Sequence, residues 1–210
     1  AFNIPDYEPI VEMARKKGIC VMVDNTFGMG GYLFQPFEWG CNVSIHSATK
    51  WICGHGTALG GVVVDGGNFD WTAEKYPLLA APSESYHGLV YKEVFGDAAF
   101  AGRVRVDGLR NIGPAASPFN SFLMLQGLET LSLRAERCCQ NTLAVAEFLE
   151  KHPAVESVNY PGLKSNPYHE LGCKYLQHGF GGVLTFRVKG GLEAAAALVT
   201  RLELILHVGS

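Results

Sequence analysis

Ile10, Val11, Met13 and Ala14 recur at helical spacing between Pro5 and Lys17, with Arg15-Lys16-Lys17 at the end of the pattern and Gly18 after it. Basic residues in a last turn oppose the negative end of the helix, and glycine accepts the backbone of a stop. The pattern therefore predicts a helix over 5–17. Ile19-Cys20-Val21-Met22-Val23 follows as an unbroken apolar run closed by Asp24. A strand buried on both faces, as in a parallel sheet, has this composition. Residues 41–46 alternate weakly and read as a short strand. Val62-Val63-Val64, set between Gly60-Gly61 and Asp65-Gly66-Gly67, repeats the buried pattern. Helix, turn and buried strand together make an α/β unit.

Residues 68–120 are rich in aromatics, Gly and Pro, with helical periodicity over 91–107. The strongest helical pattern runs from Ser121 to Leu149. Asn120 or Ser121 is its expected N-cap, Gly127 a candidate break, and His152-Pro153 its end. Strands are predicted at 155–158 and 182–188 and a helix over 192–202, a smaller α+β region that starts in the long helix. The expected division is a larger domain over 1–140 and a smaller one over 141–210.

A chain of 210 residues that is 48% apolar and 18% charged suits a globular fold with a substantial core. Its net charge of −3, without any basic block, argues against nucleic acid and membrane surfaces as partners. No stretch reaches the roughly 18 apolar residues that a membrane-crossing helix needs. The six cysteines form no C-x-x-C pair and no framework spacing, which fits reduced thiols in a cytoplasmic protein. The chain opens at Ala1 without a methionine and closes at Ser210 after an apolar run, so it reads as a piece of something longer.

Asp24 ends a buried strand, the place where open α/β sheets meet their ligands, and an acid there can face a ligand cation. It can equally cap the next turn with its side chain. Lys50 follows Ser47 and Thr49 in a short cluster after the second strand. Two hydroxyls can hold a phosphate, and a lysine beside them can form an imine with a carbonyl cofactor. A lone surface lysine would explain Lys50 without chemistry, but the surrounding Ser/Thr cluster favours a site. An acid for a pyridinium nitrogen, hydroxyls for a phosphate and a lysine for an aldehyde together fit pyridoxal 5'-phosphate. Gly28-Met29-Gly30-Gly31 misses the dinucleotide spacing because residue 33 is Leu, and Gly54-His55-Gly56-Thr57 lacks the lysine of a P-loop. His46 and His55 are assigned structural roles, and the histidines show no metal spacing.

V-M-V-D-N-T-F (21–27), S-I-H-S-A-T-K-W (44–51), G-H-G-T-x-x-G-G-V-V-V-D (54–65) and S-P-F-N-x-F-L-x-L-Q-G-L-E-T-L-S-L-R (117–134) resemble the Cys/Met-metabolism PLP-dependent enzymes. Y-H-G-L-V-Y (86–91) and V-N-Y-P-G-L (158–163) resemble their O-acetylhomoserine sulfhydrylase branch. The resemblance implies the aspartate aminotransferase-like, fold-type I architecture: part of a large, mostly parallel-sheet domain and part of a small C-terminal α+β domain. It implies Lys50 as the Schiff-base lysine and catalytic proton carrier, and Asp24 as the partner of the pyridinium nitrogen. It also implies Thr26 beside the ring, and Ser47 and Thr49 as the phosphate-binding hydroxyls. The implied reaction replaces the acetate of O-acetyl-L-homoserine by sulfide or methanethiol, in a homo-oligomer that is a dimer of dimers. γ-Lyases and cystathionine γ-synthases share the same motifs, and a non-catalytic remnant is the remaining alternative. Cys53 stands where the family carries glycine. The family's upstream phosphate loop, its stacked tyrosine and its C-terminal carboxylate-binding arginine lie outside this chain, so the chain is expected to be inactive by itself.

Overall fold

The structure is a computed structural model that describes residues 3–206. Helix α1 (Tyr7–Lys16) ends as expected, with Arg15 and Lys16 in its last turn and Gly18 at φ +57°. Strand β1 covers Met22–Asp24, later and shorter than the 19–23 run. The amides before it are taken by side chains rather than by a neighbouring strand. Cys20 N–H donates to the Tyr76 hydroxyl and Val21 N–H to Asn42 Oδ1, both at 2.9 Å. Two 3-10 segments, Thr26–Gly31 and Pro36–Trp39, lead to β2 (Val43–Ser47), and β3 (Gly61–Asp65) follows.

These strands form one sheet in the order β1-β2-β3. β1 runs parallel to β2, with Met22 opposite Val43 and Asp24 opposite Ile45. β3 is antiparallel, with Ser47 opposite Gly61. Among the described residues this sheet is thus mixed, one parallel and one antiparallel pairing. Val62, Val63 and Val64 of β3 are exposed at 39%, 44% and 38%, although their composition reads as a strand covered on both faces.

The aromatic segment folds into short helices: α2 (Pro77–Ala80), α3 (Tyr91–Phe95) and α4 (Ala99–Arg103). A wide π-turn at Val104–Leu109 then continues into α5 (Arg110–Ile112). Gly96 at φ +55° breaks the helix expected over 91–107. Trp71, Leu79, Tyr91 and Ala99 form a buried cluster that Phe69, Tyr76 and Phe100 close. The rings of Phe69 and Trp71 lie 4.6 Å apart and tilted, an arrangement that aromatic quadrupoles favour.

The expected long helix is two helices, α6 (Pro118–Glu129) and α7 (Leu131–Lys151). The interruption falls at Thr130 rather than at Gly127, and the N-cap is Ser117 rather than Asn120 or Ser121. Ser117 Oγ accepts the Asn120 N–H at 3.2 Å, with Pro118 at the first helical position. Gly127 stays helical for a packing reason: a Cβ there would stand 2.2 Å from the Cys53 carbonyl oxygen and 2.4 Å from that of Ile52.

Residues Asp6–Ala135 form one compact unit, and the rest of the described chain forms a second. In the second, β4 (Val155–Asn159) pairs antiparallel with β5 (Thr185–Val188), and α8 (His169–Tyr175) and α9 (Gly191–Thr200) complete the set. Its core gathers Ala146, Tyr160 and Leu163, with Val158, Phe180 and Leu184 against them. Helix α8 has no repeating apolar pattern in the sequence that would mark it. No helix among the described residues is long and apolar enough to cross a membrane.

Candidate active site

Parallel pairing sets the carboxyl ends of β1 and β2 side by side, where a ligand can meet both. Asp24, at the end of β1, accepts the Thr26 hydroxyl at 2.6 Å and the Thr26 N–H at 3.0 Å, both on Oδ1. The Thr26 hydroxyl oxygen in turn accepts the Ser47 N–H at 2.8 Å. One side chain thereby ties the carboxylate after β1 to the backbone at the end of β2. The turn-capping role weighed for Asp24 is real, but it occupies one oxygen, and Oδ2 makes no hydrogen bond among the described residues. The Thr26 hydroxyl and N–H hold the Asp24 carboxyl below the usual carboxylate range. Burial opposes them, and nearby His46 adds to the lowering. Asp24 is therefore an exposed anion at neutral pH.

Ser47 to Gly54 wind into consecutive tight turns. Lys50 N–H donates to Ser47 O at 3.2 Å, Cys53 N–H to Ala48 O at 2.8 Å, and Gly54 N–H to Lys50 O at 2.8 Å. Ala48 and Cys53 point inward and are fully buried, while Lys50 is exposed and Ser47 half-buried. Neither the Ser47 hydroxyl nor the Lys50 amine is hydrogen bonded among the described residues. The Thr49 hydroxyl is engaged: it accepts the Gly60 N–H at 3.0 Å and donates to Gly60 O at 3.3 Å. That pair ties the lysine turn to the start of β3. Cys53 packs without crowding the turn, with Sγ 3.6 Å from the Thr57 hydroxyl. Burial pushes its thiol up, but the Thr57 hydroxyl and the N–H groups of His55, Thr57 and Ala58 carry it below its usual value.

His46 is a neighbour of the site that the sequence left in a structural role. Its Nε2 lies 2.9 Å from Ser44 Oγ, and its buried Nδ1 is unpartnered among the described residues. Burial pushes its pKa down, against an upward pull from Asp24 and the Asn25 backbone. The available signal was the spacing of Ser44 and His46, two apart on one face of β2. His55 serves the backbone, with Nδ1 2.7 Å from Cys53 O. No group of three His, Cys, Asp or Glu residues among those described can hold a metal ion.

The donor set fits a phosphorylated pyridine aldehyde. An ionised carboxylate suits a protonated ring nitrogen, an unengaged hydroxyl suits a phosphate, and an unengaged amine suits the aldehyde. Asp24 at the end of β1, Ser47 at the end of β2 and Lys50 in the turn after it could supply these, with Thr26 and Thr49 hydrogen bonded beside them.

Comparison with known proteins points the same way. The family model described as Cys/Met metabolism PLP-dependent enzyme matches residues 1–210. The O-acetyl-L-homoserine sulfhydrylase 1 of Thermus thermophilus is 51% identical over 210 residues, covering 100% of this chain and 50% of that protein. The homocysteine/cysteine synthase of Saccharomyces cerevisiae is 54% identical over 190 residues, covering 90% of this chain and 43% of that protein. A crystal structure from Campylobacter jejuni, described as an O-acetylhomoserine (thiol)-lyase with N'-pyridoxyl-lysine-5'-monophosphate, matches with a TM-score of 0.91 and 38% identity. The match covers 97% of this chain and 51% of that one. The chain thus spans about half the length of the curated relatives it matches.

Proposed function

The chain belongs to the Cys/Met metabolism PLP-dependent enzymes and has their fold-type I architecture, and from that premise we propose that it carries the cofactor lysine of an O-acetylhomoserine sulfhydrylase. The full-length protein would exchange the acetate of O-acetyl-L-homoserine for sulfide, giving L-homocysteine, or for methanethiol, giving methionine. The names of the relatives support the reaction. The observation that carries the site is the Asp24–Thr26–Ser47 connection, because one hydroxyl fixes the carboxylate and the phosphate-side backbone in a common frame.

Pyridoxal 5'-phosphate, when bound, supplies an electron sink for a carbanion at the amino acid's Cα. Each residue then has a separate task. Asp24, held ionised, accepts the N–H of a protonated pyridine ring through Oδ2. Thr26 occupies Oδ1 and so fixes the direction in which Oδ2 points. Ser47 donates its hydroxyl to a phosphate oxygen. Thr49 can turn its hydroxyl proton from Gly60 O, a long 3.3 Å contact, toward the same phosphate while still accepting the Gly60 N–H. A bond to a charged acceptor is the stronger of the two. Lys50 Nζ would hold the aldehyde carbon until the substrate's amine replaces it, and the amine so freed would move a proton at Cα and Cβ of the substrate. The family resemblance supports a cytoplasmic dimer of dimers, with the amino acid and sulfide as its small-molecule partners.

The test is to mix the chain with pyridoxal 5'-phosphate, reduce with borohydride and locate the pyridoxyl group by mass spectrometry, beside Lys50→Ala. The label is expected on Lys50 and absent from the variant. Equal labelling of Lys50→Ala at another lysine would refute the assignment. In the full-length protein, sulfide-dependent release of acetate from O-acetyl-L-homoserine tests the reaction itself.

A further inference from the structure

We propose that Arg134 is the positioning residue for Lys50, a role that rests on the reading of Lys50 as the cofactor lysine. Arg134 closes the 117–134 motif. Its Nη2 donates to Trp51 O at 3.0 Å and to Gly127 O at 2.8 Å, and its Nε donates to Thr130 Oγ1 at 3.1 Å. One guanidinium therefore joins the residue directly after the lysine to the last turn of α6 and to the break that follows it.

The turn is built around this group. A Cβ at Gly54 would stand 2.2 Å from both Cζ and Nη1 of Arg134, and Gly54 also sits at φ +73°. A side chain there would be strained by the positive φ and would displace the guanidinium from its place. The Gly54 N–H in turn closes the turn onto Lys50 O. Gly127 lets α6 approach until its backbone meets the Ile52 and Cys53 carbonyls. All of the Arg134 hydrogen bonds go to neutral oxygens, and no carboxylate pairs with it among the described residues. This is a clamp on backbone geometry rather than an ion pair. The planar fork of arginine serves several acceptors in fixed directions, which the ammonium of lysine cannot do. A lysine that must reach one carbon and move protons between defined atoms is sensitive to small shifts of the turn that carries it.

Two readouts on Arg134→Gln and the milder Arg134→Lys test the clamp. The first needs no cofactor: hydrogen exchange of the Cys53 and Gly54 amides, with the Asn25 amide, bonded to Ile45 O, as the control for an intact sheet. The second, in the full-length protein, is the initial rate of borohydride-trapped pyridoxyl labelling at Lys50. In Arg134→Gln both turn amides are expected to exchange about tenfold faster or more, the loss that follows removal of a charge-assisted hydrogen bond, and labelling to slow by a similar factor. The Asn25 amide is expected to stay unchanged. Arg134→Lys is expected to fall between parent and glutamine variant in both readouts, and it carries the test if the glutamine variant does not fold. Parental exchange at Cys53 and Gly54 in a folded variant overturns the clamp, and faster exchange with parental labelling overturns the positioning role. A full-length parent that never labels Lys50 refutes the cofactor-lysine reading and the positioning role with it, whatever the exchange data show.

Discussion

Gly127→Ala tests the contact between α6 and the lysine turn, and two physical effects of opposite sign meet there. In an open helix, alanine is favoured over glycine by about 1 kcal/mol. Here the added Cβ would stand 2.2 Å from Cys53 O and 2.4 Å from Ile52 O, roughly 1 Å inside ordinary contact. Overpacking costs about 1–3 kcal/mol, and the atoms met are backbone carbonyls that no rotamer change removes. Taking about 3 kcal/mol for the clash and about 1 kcal/mol for the helix gain leaves a net loss of about 2 kcal/mol. At about 2–4 °C per kcal/mol for a chain of this size, the melting temperature should fall by about 4–8 °C. The assay is thermal unfolding followed by circular dichroism, beside Gly108→Ala, where a Cβ meets nothing within 4 Å. Gly108→Ala should melt at or above the parent temperature. A Gly127→Ala protein that melts no lower than the parent would refute the packing of α6 on residues 52–53.

Ser117→Ala should cost about 1 kcal/mol and lower the melting temperature by about 2–4 °C, because it removes the side chain that caps α6, whereas Ser117→Asp should keep most of the parent stability; equal losses in both would show that the cap does not operate. Thr26→Val removes the hydroxyl shared by Asp24 and Ser47, so the Asp24 carboxyl should rise toward its ordinary value of 3.8, read by carbon NMR titration. Because the folded carboxyl lies below the unfolded one, its stabilising contribution is present above pH 3.8 and is lost as pH falls through the folded value. The valine variant should therefore lose less stability over that acid range than the parent does, and an unmoved Asp24 titration would break the proposed connection.

The sequence by itself determined the local grammar of this protein. Basic residues before Gly18 mark the end of α1, the valine run marks β3, and the polar cluster that closes β2 offers Ser47, Thr49 and Lys50 as candidates. Asp24 was visible because a charged residue closing an apolar run stands at a strand end. Each of these signals lies within a few residues of its own consequence. The rest depended on partners distant in sequence. Thr26 acquires its role only when parallel pairing brings the Ser47 amide to its hydroxyl, 21 residues away. β1 starts later than its apolar run because Asn42, also 21 residues distant, intercepts the Val21 amide. A glycine inside the helical pattern offers a possible break at Gly127, but the contact with residues 52–53 makes that glycine a packing necessity inside the helix, and the chain breaks at Thr130 instead. Arg134 ended a recognisable motif, yet nothing local tells that its guanidinium reaches Trp51 across 83 residues. A repeating pattern reports which face a residue occupies, whereas a hydrogen-bond partner is chosen only when the folded chain brings donor and acceptor within about 3 Å.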